Sequence, residues 1–456
     1  MVQPHIAPVY QRLAAAAPRS AQLSDAAGRV SPGGASHDAR QINPHGLFVK
    51  EASGARKTDV DGNIYVDLVC GHGALLFGHD HRPAIEAAQH ALSAGIHFGA
   101  GSERELEWAQ MVQQLVPCAE MVRFTSSGNE ACLLAAALSC AITARSDILT
   151  LQGHYLGWAL PALVERLRYT NDGVLPERRT APRIIEAPDT DACRRALATK
   201  RIAALMVETT GASFGKVPLA EGALRSVAAA AAAAGTLLVF DETITGFRVS
   251  PSGAQGMLGL TPDLAVFGKI LGGGLPCGAL AGRADLMAAL DNTPGKNHAG
   301  PRLSHMGTGN GNFVAASAGV ATLHAIADGR ACIQAEAAAA ELRARLNHLF
   351  GRKHVSWSAY GAFSGLHLFL DPHGRHSSGE RFDPTTTPPG ELLTRDRDLV
   401  NALRVALLGA GVDINPWPGG LLSTAHSDDD IAAIVDGFSA AIDSLAASGF
   451  RLTGWG

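Results

Sequence analysis

Two short apolar runs each lead into a residue that can do chemistry. The first run, residues 237–240, stops at two carboxylates, Asp241 and Glu242. The second run, residues 264–267, is followed two residues later by Lys269. Both runs are short and apolar enough to be buried strands. Because α/β sheets bind ligands outside the carboxyl ends of their strands, we expect a carboxylate and a lysine at one edge of a sheet.

A lysine beside a carboxylate suits one cofactor chemistry well. A lysine amine can form a Schiff base with an aldehyde such as pyridoxal 5′-phosphate. A carboxylate against the pyridine nitrogen keeps that nitrogen protonated, and the protonated ring then withdraws electrons from the substrate carbon. A solvated loop lysine is the ordinary alternative. A phosphate-binding P-loop is excluded, because Ile270 replaces the required Ser or Thr and Asp263 replaces the first glycine.

The sequence FDETITGFR, followed by TPDLAVFGKILGGGLPCGALAGR, closely resembles the cofactor-lysine region of class III aminotransferases. The nearest pattern is that of glutamate-1-semialdehyde aminomutase and its aminotransferase relatives, including those that act on β-amino acids. The resemblance covers roughly residues 32–431. It implies a pyridoxal-phosphate enzyme of fold type I, in which Lys269 forms the Schiff base and Asp241 contacts the pyridine nitrogen. Thr243 is placed among the cofactor-binding residues on the same ground.

Composition and charge limit the kinds of partner. The chain has 456 residues and a formal net charge of −4, without a basic block, which argues against nucleic acid. No apolar run reaches the ~18 residues of a membrane span, and the first residues lack a secretory pattern. The seven cysteines are scattered and odd in number, as in a reduced, cytoplasmic protein.

The alternation of strand and helix patterns favours a mostly parallel α/β sheet with helices on its faces. The family resemblance makes this a seven-stranded sheet in a large cofactor-binding domain, here residues 76–325. Residues 1–75 are predicted to be a segment of helix, loop and small antiparallel meander. With residues 326–456 they would form a smaller α+β domain.

A phosphate site is indicated between a strand and a helix. Ser127 and Glu130 have the spacing of a capping box, which predicts a helix start at Ser127. The free N–H groups of a helix start bind phosphate. The family uses Ser-Gly-Thr at this place, and this chain has Ser127, Gly128 and Asn129. Asparagine departs from the pattern but can still donate a hydrogen bond.

Two further segments resemble parts of the family's cofactor site. Tyr155 matches an aromatic residue whose ring stacks on the pyridine, although Leu156 replaces the histidine that usually follows. Glu208 ends a predicted strand where the relatives carry a glutamate near the cofactor's hydroxyl side. Ser213 stands where the aminomutases have asparagine.

The substrate-binding residues are expected in the N-terminal segment. In the aminomutases, a Pro-Gly-Gly motif, here residues 32–34, precedes an arginine that holds the substrate carboxylate, and that position is Arg40. The planar guanidinium suits this role because it binds a carboxylate through two parallel bonds. A surface arginine is the alternative reading of Arg40, and Arg248 is a second candidate for the acid group. His72 falls where the aminomutases carry a tryptophan facing the substrate; no metal site is expected there, because a completing ligand set is missing.

A glycine-rich stretch predicts an active site shared between two chains. Residues 307–312 keep the family spacing Gly-Thr-x-x-Gly-Asn, in which the threonine, here Thr308, reaches the phosphate site of the partner subunit. The resemblance therefore implies a homodimer with two-fold symmetry.

The favoured function is a pyridoxal-phosphate-dependent aminotransferase with a small-molecule amino donor and a carbonyl acceptor. It would work through a Lys269 Schiff base and a ping-pong transfer of the amine. The alternative is a glutamate-1-semialdehyde-type aminomutase, or a related epimerase or lyase, which uses the same lysine. His72, Leu156 and Asn129 depart from the housekeeping aminomutase. A catalytically silent binding protein is a third reading, against which Lys269 and Asp241 argue.

Overall fold

The computed structural model describes residues 7–159, 183–220, 222–294, 300–371, 374, 376 and 379–452. The chain divides into two compact units, one of which is Arg82–Arg330 and the other Met1–His81 together with Ala331–Gly456. The corresponding boundaries expected from the sequence are residues 76 and 326.

The strands follow one another in chain order as β1 (Val49–Ser53), β2 (Arg56–Asp59), β3 (Ile64–Asp67), β4 (Met121–Thr125), β5 (Asp147–Leu151), β6 (Arg183–Ala187), β7 (Ile202–Glu208), β8 (Val217–Pro218), β9 (Leu237–Asp241), β10 (Leu264–Gly268), β11 (Gly278–Gly282), β12 (Ser358–Tyr360), β13 (Gly365–Phe369), β14 (Val412–Asp413) and β15 (Gly419–Leu421). The principal helices are Ala7–Ala16, Pro18–Gly28, Arg82–Ala94, Glu103–Leu115, Gly128–Thr143, Thr190–Ala198, Ala223–Ala233, Gly253–Leu258, Ala284–Met287, Phe313–Ile326, Arg330–Arg352, Pro389–Leu393, Arg397–Gly409 and Asp428–Ala447.

The unit Arg82–Arg330 is built on a seven-stranded sheet with the order β4-β11-β10-β9-β7-β5-β6. Neighbouring strands run parallel except for β11, which is antiparallel to both β10 and β4. Every residue of β5, β7 and β10 is buried, as expected for strands covered on both faces. The predicted mostly parallel α/β sheet is therefore confirmed.

The carboxyl ends of three adjacent strands gather the chemistry-bearing residues. Glu208 at the end of β7 pairs in register with Asp241 at the end of β9. Lys269 follows the last residue of the neighbouring strand β10. The expectation that a carboxylate and the lysine share one edge is thus confirmed.

The second unit combines both ends of the chain in two small sheets, β1-β2-β3-β14 and β12-β13-β15. Strand β14, near the C-terminus, pairs in parallel with β3, near the N-terminus. Lys57 on β2 bridges Asp67 and Asp413, which lie at the ends of β3 and β14. Their carboxylates raise the pKa of Lys57 against the opposing effect of burial. This arrangement confirms the smaller α+β domain.

The glycines after Lys269 permit the close approach of two elements. A Cβ on Gly273, whose φ is 62°, would lie 2.5 Å from Thr322 Oγ1 and 2.9 Å from the Ala318 carbonyl oxygen. Both contacts belong to the helix Phe313–Ile326. Any larger residue would push this helix away from the turn that carries Lys269.

All seven cysteines have free thiols, and six of them are buried. Among the described helices, none is long and apolar enough to cross a membrane.

Candidate active site

Lys269 occupies a strained position at the start of a short 3-10 turn, Lys269–Gly272. Its φ of 52° is left-handed, a conformation that non-glycine residues keep mainly at functional sites. Burial, and then the nearby guanidinium of Arg248, lower the pKa of the Lys269 amine to about 8, although the carboxylates of Asp241 and Glu208 act in the opposite direction. A sizeable neutral fraction of this amine therefore exists near neutral pH, as a nucleophile or base requires.

Asp241 is 6% exposed, and the structure fixes both of its carboxylate oxygens. Oδ1 accepts a hydrogen bond from the Thr243 N–H at 2.8 Å. Oδ2 accepts one from the Cys132 thiol at 3.6 Å. Burial raises the pKa of Asp241, while Thr243, Cys132 and Lys269 oppose that rise. A buried carboxylate of this kind is stabilised by a cationic partner.

Glu242, the second carboxylate of this stretch, has a structural role. It is fully buried and accepts hydrogen bonds from the N–H groups of Ala254 and Gln255, each at 2.9 Å. It also accepts one from the Thr245 hydroxyl. Glu242 thereby satisfies the free amides at the start of the helix Gly253–Leu258.

The helix Gly128–Thr143 begins at Ser127, as predicted, and the Ser127 hydroxyl accepts the Glu130 N–H at 3.2 Å. The reciprocal half of the predicted capping box is wrong. The Glu130 carboxylate instead accepts the N–H of Ser126 at 2.8 Å, so that it closes the turn one residue earlier. A helix start of this kind can bind a phosphate group.

Two glycines bring the helix start next to the turn after Asp241 and to the residue before Lys269. A Cβ on Gly128 would lie 2.8 Å from Thr243 Cγ2. A Cβ on Gly268 would lie 3.3 Å from the same methyl group and 3.4 Å from the Gly128 nitrogen. The helix start, the turn after Asp241 and the residue before Lys269 therefore meet in one place.

Tyr155 presents its ring to solvent beside this place. The residue is 59% exposed, and its backbone N–H donates to Glu208 Oε1 at 2.7 Å. The far end of the same segment is held by Asn129, whose Oδ1 accepts the Ala159 N–H at 3.0 Å. Leu156 points the other way, into the core, and is 2% exposed. The backbone of this segment is thus held at both ends, and Tyr155 is exposed between them.

The Glu208 carboxylate holds three backbone N–H groups from two different segments. Its carboxylate accepts the N–H groups of Tyr155 at 2.7 Å, Ser213 at 2.9 Å and Phe214 at 3.1 Å. Ser213 and Phe214 both have left-handed φ angles, 53° and 60°. Burial, and then the adjacent Asp241, raise the pKa of Glu208 to about 7. Glu208 therefore supports the Tyr155 segment, in addition to any contact with the cofactor.

Two residues of this site were missed by the sequence reasoning. Cys132 lies on the sheet-facing side of the helix Gly128–Thr143, where a helix position one turn after Gly128 could have suggested it. His154 accepts the Glu208 N–H on Nδ1 at 2.9 Å, and burial lowers its pKa to about 4, which keeps the imidazole neutral. The sequence carries no signal for that contact.

Thr308 lies on an exposed loop of the same unit. Its carbonyl oxygen accepts a hydrogen bond from His97 Nε2 at 2.6 Å. Further along the loop, Asn310 Oδ1 accepts the Ser126 hydroxyl at 3.3 Å. The loop borders an open cleft of about 450 Å³, also lined by Arg123 and Glu105.

Arg40 and His72 belong to the other unit. Arg40 is exposed at the end of the short turn Asp38–Arg40. His72 lies in the turn Cys70–Gly73 with a φ of 56°, and its ring stacks on that of His37.

The fold and the site together define a class of protein. A mostly parallel seven-stranded sheet that presents a lysine, a buried carboxylate and a helix start at one edge is that of a fold-type-I pyridoxal-phosphate enzyme. Residues 37–369 match the family described as Aminotransferase class-III. The chain belongs to this family.

Its relatives include both isomerases and transferases. A glutamate-1-semialdehyde 2,1-aminomutase of Methanosphaera stadtmanae is 32% identical over 438 residues, which cover 94% of this chain and 99% of the relative. A β-phenylalanine aminotransferase from Variovorax paradoxus has a similar solved structure, with a TM-score of 0.82, 28% identity and 100% coverage of both chains. A glutamate-1-semialdehyde aminomutase from Pseudomonas aeruginosa PAO1 also has a TM-score of 0.82, with 25% identity and 98% coverage of both chains.

Pyridoxal 5′-phosphate is the cofactor of this family, and the residues present fit it. The amides at the start of Gly128–Thr143 suit the phosphate. The buried Asp241, whose pKa is raised, suits a protonated ring nitrogen. The lowered pKa of Lys269 suits an amine that reacts with an aldehyde.

Proposed function

We propose that the protein is an aminotransferase that moves an amine from a small amino acid to a carbonyl acceptor, with Lys269 as its reactive amine. The observation that carries the proposal is the lowered pKa of Lys269, about 8, at the sheet edge that also holds Asp241. Membership of the class III family supports it. The two half-reactions would follow a ping-pong order.

Each residue has a task in this proposal. When bound, pyridoxal 5′-phosphate supplies an aldehyde that takes up amines and a ring that withdraws electrons. Lys269 would hold that aldehyde, and its amine, when free, would accept the proton that leaves the substrate carbon. Asp241 holds a proton on the ring nitrogen, oriented by the bonds from Thr243 and Cys132. Tyr155, whose backbone is held by Glu208, offers its exposed ring as a stacking surface.

The phosphate and the substrate acid group have further proposed partners. Ser127, Gly128 and Asn129 would bind the phosphate at the helix start. In a homodimer, Thr308 of one subunit would reach the phosphate site of the other. Arg40 would bind the substrate carboxylate, with His72 forming part of the wall beside it. These assignments rest on the family resemblance, and the exposure of Arg40 and Thr308 is compatible with them.

An aminomutase is the second candidate. The observation that favours it is that several relatives, at 31–34% identity over most of the chain, are named glutamate-1-semialdehyde 2,1-aminomutase. An aminomutase would use Lys269 and Asp241 in the same way but return the amine to the same molecule. Leu156, buried in the core, and His72 distinguish this chain from the aminomutase pattern.

The visible spectrum of the purified protein separates the two candidates. With an aminotransferase, an amino donor alone converts the lysine-bound cofactor band fully to the aminated form, and a carbonyl acceptor restores it. With an aminomutase, glutamate 1-semialdehyde turns over without a second substrate and the starting band returns. The panel should include α-, β- and terminal amines, since the donor class decides the conversion.

Substitution of the lysine tests the assignment itself. We expect Lys269→Ala to abolish the lysine-bound band and to lower the rate by several powers of ten, because the reactive amine and the proton carrier are both lost. Lys50→Ala, at an exposed position of the other unit, is the matched control and should keep the lysine-bound band and the native rate. A Lys269→Ala protein that retained the band would overturn the assignment.

A further inference from the structure

His37 connects the two residues that were predicted to line the substrate site from the N-terminal segment. Its ring stacks on that of His72, with 4.6 Å between the ring centroids and 8° between the planes. Its Nδ1 accepts the Ala39 N–H at 3.0 Å, so that His37 caps the turn Asp38–Arg40. One side chain therefore touches the turn of Arg40 and the ring of His72.

The cap also determines which way His37 can donate. Because Nδ1 accepts a hydrogen bond from a backbone amide, the proton of the neutral ring lies on Nε2. His37 is exposed, and its ring is held by the stacking on His72 and by the bond at Nδ1. An anion that reached Nε2 would therefore meet an N–H donor on a ring that is already held in position.

The backbone of the Arg40 turn is held by the buried guanidinium of Arg404. Arg404 is 7% exposed and donates to the carbonyl oxygens of Ala39 at 3.2 Å and Gln41 at 3.3 Å. The Gln41 side chain packs so tightly on Gly33 that a Cβ there would lie 2.4 Å from Gln41 Nε2. A guanidinium presented by a fixed backbone loses less conformational entropy when it binds a ligand.

The turn of His72 is equally constrained. Cys70, Gly71 and His72 are left-handed in succession, with φ angles of 47°, 59° and 56°. The Asp67 carboxylate accepts the N–H groups of Val69 at 2.9 Å and Cys70 at 3.2 Å. Strain of this kind persists where surrounding bonds over-determine the backbone, and it concentrates in ligand-binding turns.

We infer that His37 is a specificity-determining residue which joins Arg40 and His72 into one preorganised surface for the carboxylate of the amine substrate. Arg40 supplies the charged fork, His37 supplies the Nε2–H donor and the cap of the Arg40 turn, and His72 supplies the ring against which His37 is held. The inference rests on the proposed function and adds His37 to the residues that would recognise the carboxylate of its amino acid substrate.

Two variants separate the contributions of His37. His37→Phe keeps a ring for stacking and loses the capping acceptor, whereas His37→Asn keeps an acceptor and loses the ring. His354→Asn, an exposed histidine of the same unit with a left-handed φ of 54°, is the matched control. Circular dichroism and the lysine-bound cofactor band establish that each variant is folded and loaded.

The kinetic test compares amines with and without a carboxylate. β-Alanine is paired with ethylamine, and 4-aminobutyrate with propylamine, each followed by conversion of the cofactor band. Both His37 variants should raise KM for the acids about five-fold with kcat nearly unchanged, His37→Phe because the cap and the Nε2–H donor are lost, and His37→Asn because the ring stacked on His72 is lost. The His37 variants should not change KM or kcat for the simple amines. The His354→Asn control should not change these constants for either kind of amine. Equal effects on both kinds of amine, or none, would refute the inference.

A second measurement keeps this inference distinct from the proposed function. Propionate binding is followed by titration calorimetry on the native protein and the His37 variants, since it needs no cofactor chemistry. Native binding that weakens in both variants supports the surface even if no amine converts the cofactor band. Propionate affinity that does not change in the variants, or native protein that does not bind propionate, counts against His37.

Discussion

At the scale of single residues, the site depends on the matching of buried charges. The pKa of Lys269 is lowered first by burial and then by the guanidinium of Arg248, whereas the carboxylates of Asp241 and Glu208 raise it. The net result is an amine whose pKa of about 8 lies near physiological pH.

This pKa makes a prediction about cofactor uptake by the cofactor-free protein. Only the neutral amine attacks an aldehyde, so protonation of Lys269 below its pKa slows the reaction. The rate of uptake, followed as growth of the lysine-bound band, should rise about ten-fold per pH unit and level off above pH 8. A rate that kept rising toward the ordinary lysine value of 10.5 would contradict the lowered pKa.

Cys132 provides a second prediction at this scale. Its thiol donates to Asp241 Oδ2 at 3.6 Å and thereby helps to orient the carboxylate. Cys132→Val removes the donor at similar volume, and we expect the cofactor dissociation constant to rise about three-fold, the effect of one weak hydrogen bond. Cys132→Ser, which keeps a donor, should restore most of the affinity. Fluorescence titration measures both; equal affinity in Cys132→Val and native protein would remove Cys132 from the site.

The site residues that the sequence predicts lie at the ends of apolar runs, whereas those it misses are defined by contacts with distant parts of the chain. Asp241 and Lys269 follow apolar runs, so strand ends and family spacing were enough to locate them. Cys132 and His154 act through contacts with residues far along the chain, and neither residue type signals such a contact. The capping box failed for a local reason, since Glu130 has two neighbouring serine amides within reach and uses that of Ser126.

At the scale of elements, the site is formed by the turns that follow the strands, rather than by the strands themselves. The strands fix where the turns after β9 and β10 emerge, and the helix Gly128–Thr143 brings its first residues to the same edge. Buried strands and the long helices were predictable because their apolar patterns are continuous. The left-handed turn at Ser213 could not be predicted from the sequence, because a tertiary contact with Glu208 determines its conformation.

Gly128 tests how closely these turns must approach. In Gly128→Ala the new methyl group would lie 2.8 Å from Thr243 Cγ2, so Thr243 or the helix start must move. We expect the cofactor dissociation constant to rise at least about ten-fold, which corresponds to ~1.4 kcal/mol. Gly351→Ala is the control, because nothing lies within 4 Å of its Cβ position. If both variants bind the cofactor as tightly as the native protein, the cradle around Gly128 has no role.

At the scale of the whole molecule, two arrangements of Thr308 are compared, one in which it acts within its own chain and one in which it acts at the phosphate site of a partner subunit. Its loop lies near Ser126 of its own chain, through the contact of Asn310, and Thr308 itself is exposed. The proposed homodimer assigns Thr308 to the phosphate of the partner subunit. The alternative, in which Thr308 acts within its own chain, predicts a different outcome in mixed dimers.

Mixed dimers of Lys269→Ala and Thr308→Ala chains distinguish the two arrangements. If Thr308 acts across the dimer, the Thr308→Ala subunit receives a native threonine from its Lys269→Ala partner and forms one complete site. Each single variant alone should bind or react poorly, with Thr308→Ala weakening cofactor affinity about ten-fold through one lost charged hydrogen bond. Each mixed dimer should recover native affinity at one of its two sites, which is about a quarter of all sites in an equimolar mixture that exchanges subunits at random. Absence of recovery, in mixtures shown to exchange subunits, would place Thr308 within its own chain.

The pairing of β3 with β14 has a consequence for the nascent chain. About 350 residues separate these two strands, and a ribosome adds roughly 5–20 residues per second, so β14 is made roughly 20–70 s after β3. The unit Arg82–Arg330 is contiguous and can be completed within that interval. Until β14 arrives, one edge of β3 offers unpaired amides and carbonyls to other chains. The newly made N-terminal strands therefore have a period of exposure to aggregation, during which a chaperone would shield them.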